Sequence, residues 1–209
     1  MEESVITVKK LTIGIYGTNS YLVSCVQTGH VMLIDAPGSF KEFEPHIKGL
    51  NIKLIVLTHT HLDHIQALED LRDRLKVPLA MNSAEADQVQ PPPDMIVQDG
   101  DTLSVGKLDF RVIHTPGHTS GGICLLNAKH LFSGDTLFPG GPGKTLKPAQ
   151  FHQIVDSITK KLFPLPNDIL VYPGHGLDTV LGKEKEEFAV FSSRQHPDDL
   201  CGDVLWLTS

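Results

Sequence analysis

The chain has 209 residues, 40% of them hydrophobic, with 25 acidic against 18 basic side chains and a net charge of −7. That length suits one large domain, residues 1–209, with a real core, and the interspersed acidic balance argues against nucleic acid, which needs a basic stripe. No apolar segment reaches membrane-spanning length, and the acidic start Met1-Glu2-Glu3-Ser4 is no signal peptide, so neither membrane nor export is expected and cytoplasm is the expected compartment.

In chain order, strands are predicted at Ile6–Ile15, Ser20–Val26 and Val31–Asp35, with Tyr16-Gly17-Thr18-Asn19 as the first turn. A helix follows from Phe40 to Lys48. The short apolar run Leu54-Ile55-Val56-Leu57 reads as a buried strand, and Ile65, Leu68, Leu71 and Leu75 recur at helical spacing. Val77–Met81 is strand-like. Ser83 is the expected N-cap of a short helix through Val89, which Pro91-Pro92-Pro93 ends. Leu103–Val105 and Leu108–Ile113 form a hairpin about Gly106-Lys107, and Ile123–Leu126 and His130–Phe132 flank another turn. Pro148 to Leu162 reads as a helix with one apolar face, Ile169–Tyr172 as a strand, and Lys183 to Phe191 as a last helix. The strands fall in antiparallel runs interrupted by helices, an α/β chain. Cys25 and Cys124 lie in apolar runs and read as core residues. With Cys201 they suit neither a disulfide framework nor a thiolate zinc site.

The richest segment is His59-Thr60-His61-Leu62-Asp63-His64, four potential metal ligands at a strand-to-helix junction. Residues two apart in extended backbone point the same way, so His59 and His61 can serve one metal. Asp63 and His64 lie past the bend and can serve a neighbouring one. Three more candidates, His118, Asp135 and His175, each follow a strand-like stretch and a glycine that permits a sharp turn. Burying so many charge-capable groups without a metal would be costly. His30, His46, His130, His152 and His196 read as surface or core residues, and His114 as a structural residue or a neighbour of the site.

The order His-x-His-x-Asp-His, then His118, Gly134-Asp135 and Gly174-His175 resembles the metallo-β-lactamase superfamily, and within it the glyoxalase II (hydroxyacylglutathione hydrolase) branch. The resemblance runs from Thr18-Asn19-Ser20-Tyr21-Leu22 to beyond His175. It implies an αββα sandwich. It implies one metal site of His59, His61 and His118, a second of Asp63, His64 and His175, and Asp135 bridging both. Asp35 matches an acidic position that supports the site from behind. The cofactor it implies is a pair of divalent ions. The donor set suits zinc, and iron or manganese also. Held about 3.5–4 Å apart, such ions generate hydroxide near neutral pH. Asp63 and Asp135 are then the catalytic carboxylates.

The same resemblance implies hydrolysis of a small-molecule thioester of the hydroxyacyl-glutathione kind. Lys144, in Gly143-Lys144, matches a basic residue that contacts the carboxylate of the thiol. Two departures point to a shorter, less selective thioesterase. Only a short tail follows Gly182, where longer glyoxalase II enzymes carry a helical thiol-binding domain. Gly176-Leu177 replaces the aromatic residue that follows the last metal histidine. The alternatives are a persulfide dioxygenase holding one iron on His59, His118 and Asp135, a lactonase, and a metal-binding module without catalysis.

Overall fold

The computed structural model describes residues 6–209. The first sheet holds β1 (Ile6–Ile13), β2 (Thr18–Cys25), β3 (His30–Ile34), β4 (Asn51–Val56), β5 (Leu79–Asn82) and β6 (Met95–Val97), in that order. β7 (Thr102–Val105), β8 (Leu108–His114), β9 (Ile123–Asn127) and β10 (His130–Gly134) belong to the second sheet. A small ribbon of β11 (Leu137–Phe138) and β12 (Gly141–Pro142) comes next. β13 (Leu170–Pro173) and β14 (Thr179–Val180) complete the second sheet, whose spatial order is β14-β13-β10-β9-β8-β7.

Alternation along the strands builds three apolar layers. In β3, Met32 and Ile34 face the second sheet, while Val31 and Leu33 face outward. In β9, Ile123 and Leu125 face the first sheet and Cys124 faces the other way. The middle layer joins Tyr21, Val56 and Ala80 to Phe110, Val112 and Phe132. Helices α1 (Phe40–Ile47), α2 (Leu62–Ile65) and α3 (Leu68–Leu75) cover the outer face of the first sheet through Phe43, Leu68 and Leu71. Helices α4 (Pro148–Ser157) and α5 (Leu181–Ser192) cover the second through Phe151, Ile154 and Phe191. This is the expected αββα sandwich. Cys25 and Cys124 are buried, as expected of core residues.

Several local expectations need correction. The sheets are mixed rather than antiparallel: β3, β4, β5 and β6 pair in parallel, as do β10 and β13. The first turn falls earlier, because Gly14 and Gly17 take positive φ and leave Ile15 and Tyr16 exposed. The helix expected through Leu75 is broken after Ile65. Ala36 donates its N–H to the His64 carbonyl and accepts from Ala67 N–H, both at 2.8 Å, which interrupts the helical ladder. Asn82, not Ser83, caps the next turn, accepting from Ala84 N–H at 3.0 Å, and that turn is 3₁₀. The helix from Pro148 reaches Leu162 as expected, but its last turn is π, with Phe163 N–H on the Ile158 carbonyl. β6, β11, β12 and β14 carry two or three residues each, too few to show a period.

Candidate metal centre

The site residues leave the carboxyl ends of neighbouring parallel strands, where open sheets place their ligands. Asp35 follows β3, the His59–His64 segment follows β4, and Glu85 follows β5. On the other sheet Asp135 follows β10 and His175 follows β13, its parallel neighbour. His118 comes from the loop after β8. All seven predicted donors meet at this edge.

The distances group them. His61 Nδ1 lies 2.8 Å from His118 Nε2 and 3.2 Å from His59 Nε2. His175 Nε2 lies 3.1 Å from Asp63 Oδ2 and 3.4 Å from His64 Nε2. Asp135 stands between the two sets: its Oδ1 is 3.4 Å from His64 Nε2, and its Oδ2 is 3.5 Å from His118 Nε2 and 3.7 Å from His175 Nε2.

Outer partners fix which nitrogen faces the cluster. A carbonyl or carboxylate oxygen only accepts, so His118 Nδ1–H donates to the Lys144 carbonyl at 2.7 Å. His64 Nδ1–H likewise donates to Asp35 Oδ2 at 2.8 Å. Thr58 Oγ1 donates to Asp35 Oδ2, so it accepts from His59 Nδ1 at 3.1 Å. The Nε2 atoms of His59, His64 and His118 therefore point inward. Asp35 also accepts from Thr58 N–H at 2.7 Å, so its carboxylate links the Thr58 backbone to the His64 ring. Its φ of 57° is left-handed, a region aspartate tolerates better than most residues. Thr18 Oγ1 donates to Asp63 Oδ2 at 2.9 Å and orients that carboxylate.

The glycine before His175 is required by close approach. A Cβ on Gly174 would sit 2.1 Å from Asp135 Oδ1 and 2.7 Å from His64 Cε1. The glycine before Asp135 combines positive φ with the same crowding, because its Cβ would meet Thr58 Oγ1 at 2.6 Å.

The electrostatics of the cluster hold two of its imidazoles ready for a cation. Burial, then the charge of His64, holds His59 well below the ordinary imidazole range. Burial and then His118 lower His61. Lone pairs are thus kept free of protons. Burial pulls His64 down as well, but the Asp35 charge outweighs it and raises the group to about 10. Asp135 is held low: burial opposes ionisation, and the neighbouring His64 and His59 imidazoles overcome it. Asp135 Oδ1 is nevertheless buried without a hydrogen-bond partner. A buried carboxylate oxygen without a donor, beside convergent imidazole nitrogens, fits divalent metal ions. Three groups of side chains could hold them: His59–His61–His118, His59–His64–Asp135 and Asp63–His64–His175.

A model of the metallo-β-lactamase superfamily matches residues 13–175. The chain belongs to this superfamily. It is 33% identical over 186 residues to hydroxyacylglutathione hydrolase GloC of Haemophilus influenzae, covering 78% of this chain and 87% of that one. Among solved structures it resembles ETHE1 from Myxococcus xanthus, with TM-score 0.76, 31% identity, and 86% and 81% of the two chains covered. It also resembles TTHA1623 in a di-iron-bound form, with TM-score 0.73, 28% identity, and 85% and 97% covered. Superfamily members of this fold are metal-dependent hydrolases. This chain carries His/Asp sets of the right kind.

Several contributors to this superfamily site escaped the sequence reading. Glu85 is buried and bonds both ligand loops. The tail returns to the site: Trp206 N–H donates to the Gly140 carbonyl, and Gly202 and Thr145 form a bridge. Asp203, Val204 and Leu205 thereby line a cavity of about 300 Å³ that also touches His118, Asp135 and His175. Its other wall includes Phe138 and Pro142, and Lys144 stands at the same cavity. The apolar run around Trp206 was the available signal for the tail. Glu85 offered none. His114 braces its own loop by donating to the Ser120 carbonyl at 2.9 Å. No helix among the described residues is long and apolar enough to cross a membrane.

Proposed function

We propose that this chain is a thioester hydrolase acting on small hydroxyacyl thioesters. The observation that carries the reading is a pair of donor sets meeting at Asp135 and opening on one apolar-walled cavity with a lysine at its edge. In the reaction water adds across the acyl carbon, the C–S bond breaks, and a carboxylic acid and a thiol leave. Divalent ions, zinc or iron, would supply Lewis acidity and an activated water when bound. His59, His61 and His118 would hold one, and Asp63, His64 and His175 the other, with Asp135 shared.

The chain's own groups do the rest. Asp35, Thr58 and the Lys144 carbonyl hold the imidazoles in the metal-facing tautomer. Phe138, Pro142, Val204 and Leu205 keep water from one side of the substrate. Lys144, at the rim of the cavity, faces the thiol half of the substrate. Likeness to a hydroxyacylglutathione hydrolase supports the substrate class.

The test is metal analysis of protein purified without added metal, with lactoyl-glutathione turnover and oxygen uptake on glutathione persulfide run side by side. Two metals per chain with thioester cleavage are expected. One iron, with oxygen uptake and no thioester cleavage, would replace this reading by the dioxygenase.

A further inference from the structure

The cavity beside the metal cluster has a charge pattern that its sequence neighbourhood does not reveal. Its walls are apolar: Phe138, Pro139, Pro142, Val204 and Leu205. Beyond the cluster residues, its two charged lining groups are Lys144 and Asp203. They are paired, with Nζ 3.0 Å from Asp203 Oδ2. The pair lies at the open rim, since the side chains are 57% and 75% exposed. Asp203 reaches this place because residues on both sides of it are anchored. Gly202 and Thr145 exchange two backbone hydrogen bonds, at 2.9 and 3.2 Å. Val204 and Trp206 are buried against the outer layer of the second sheet. The Asp203 backbone is thus held beside Lys144 by its anchored neighbours.

We propose that Asp203 is a specificity-determining residue: by neutralising Lys144 it turns the cavity toward thioesters whose thiol half is uncharged and apolar, and away from those bearing a carboxylate. The proposal rests on the thioesterase reading. A substrate carboxylate reaching Lys144 must displace Asp203 or lie beside it, and a second anion near the first is repelled. An uncharged thiol arm meets neither cost and buries apolar surface on the walls. Because the pair is exposed, the effect is moderate and falls with salt.

Two measurements test this. The first compares kcat/KM for lactoyl-glutathione and for the lactoyl thioester of N-acetylcysteamine, whose thiol half carries no charge. Asp203→Asn should shift the ratio toward the glutathione ester by about two- to fivefold, and Lys144→Ala should shift it the opposite way. The second is calorimetric binding of S-methylglutathione to the protein as purified. Asp203→Asn should tighten it by a similar factor at low salt, with the difference shrinking at about 0.5 M salt. An unchanged ratio together with unchanged S-methylglutathione affinity in Asp203→Asn overturns the role of Asp203 while the thioesterase reading stands. Cleavage of neither ester overturns the thioesterase reading, and the calorimetric difference then still decides whether Asp203 screens Lys144 from anions.

Discussion

Glu85 Oε2 accepts two hydrogen bonds from Thr60, from its N–H at 2.8 Å and from its hydroxyl at 2.7 Å. Thr60 is the residue between His59 and His61. The other oxygen of the same carboxylate accepts from Gly121 N–H at 2.7 Å, in the loop that carries His118. One buried side chain therefore ties together the two segments that present the first histidine set. Burial disfavours its charge, and the surrounding donors, Thr60 and Gly121 among them, overcome that and lower its pKa. Glu85→Ala leaves buried N–H groups unpaired, at about 1–3 kcal/mol each. The expected result is a loss of about 2–5 kcal/mol in urea unfolding, with weaker retention of metal. A variant with wild-type stability and metal content would remove Glu85 from this positioning role.

Asp135→Ala should empty both metal positions, because this carboxylate stands within reach of His64, His118 and His175 at once. Elemental analysis of the purified variant checks it. Two tightly held equivalents would show that Asp135 is not shared.

His59→Ala and His175→Ala remove donors from different sets. A two-metal hydrolase loses activity with either change. A one-iron oxygenase on His59, His118 and Asp135 is crippled by the first and tolerates the second. Turnover of the metal-loaded variants separates the two, and tolerance of both changes would overturn the whole site.

Gly174→Ala should disable the centre without touching a donor. The added methyl would sit 2.1 Å from Asp135 Oδ1, so the carboxylate or the His175 loop must move. Metal affinity should fall at least tenfold, read by competition with a chelator, since displacing ligands or their supports typically costs 10–100-fold. Undiminished affinity would mean that the loop yields freely.

Glu184 gives a pH signature. Burial raises its pKa, against bonds from Thr179 and Gly140. A carboxyl raised in the folded state contributes stability while protonated, and that contribution is lost as pH rises through the folded pKa. Glu184→Gln does not titrate, so its stability relative to wild type should improve as pH rises from about 4.3, the unfolded value. Denaturation at a series of pH values measures this, and parallel curves for the two proteins would contradict it.

Much of the site was legible because its donors lie in short local patterns. His59, His61, Asp63 and His64 share one junction, and His118, Asp135 and His175 each end a strand-like run behind a glycine. Buried strands were legible for the same kind of reason: Val31–Ile34 in β3, Leu54–Val56 in β4 and Ile123–Leu125 in β9 are continuous apolar runs of consecutive residues. Parallel pairing was not, because the direction of a neighbouring strand leaves no local mark. The break after Ile65 arises from Ala36, which lies far away in sequence.

Spacing within a few residues carried the order of the donors, and the family resemblance built on that order carried the layered fold. Folding alone brings Glu85 between Thr60 and Gly121, Trp206 onto Gly140, and Asp203 to Lys144 at the cavity rim. Those contacts span tens of residues. They form because strand ends converge on one edge of the sandwich and the outer core draws Val204 and Trp206 inward, and a single side chain carries no periodic signal of its distant partner.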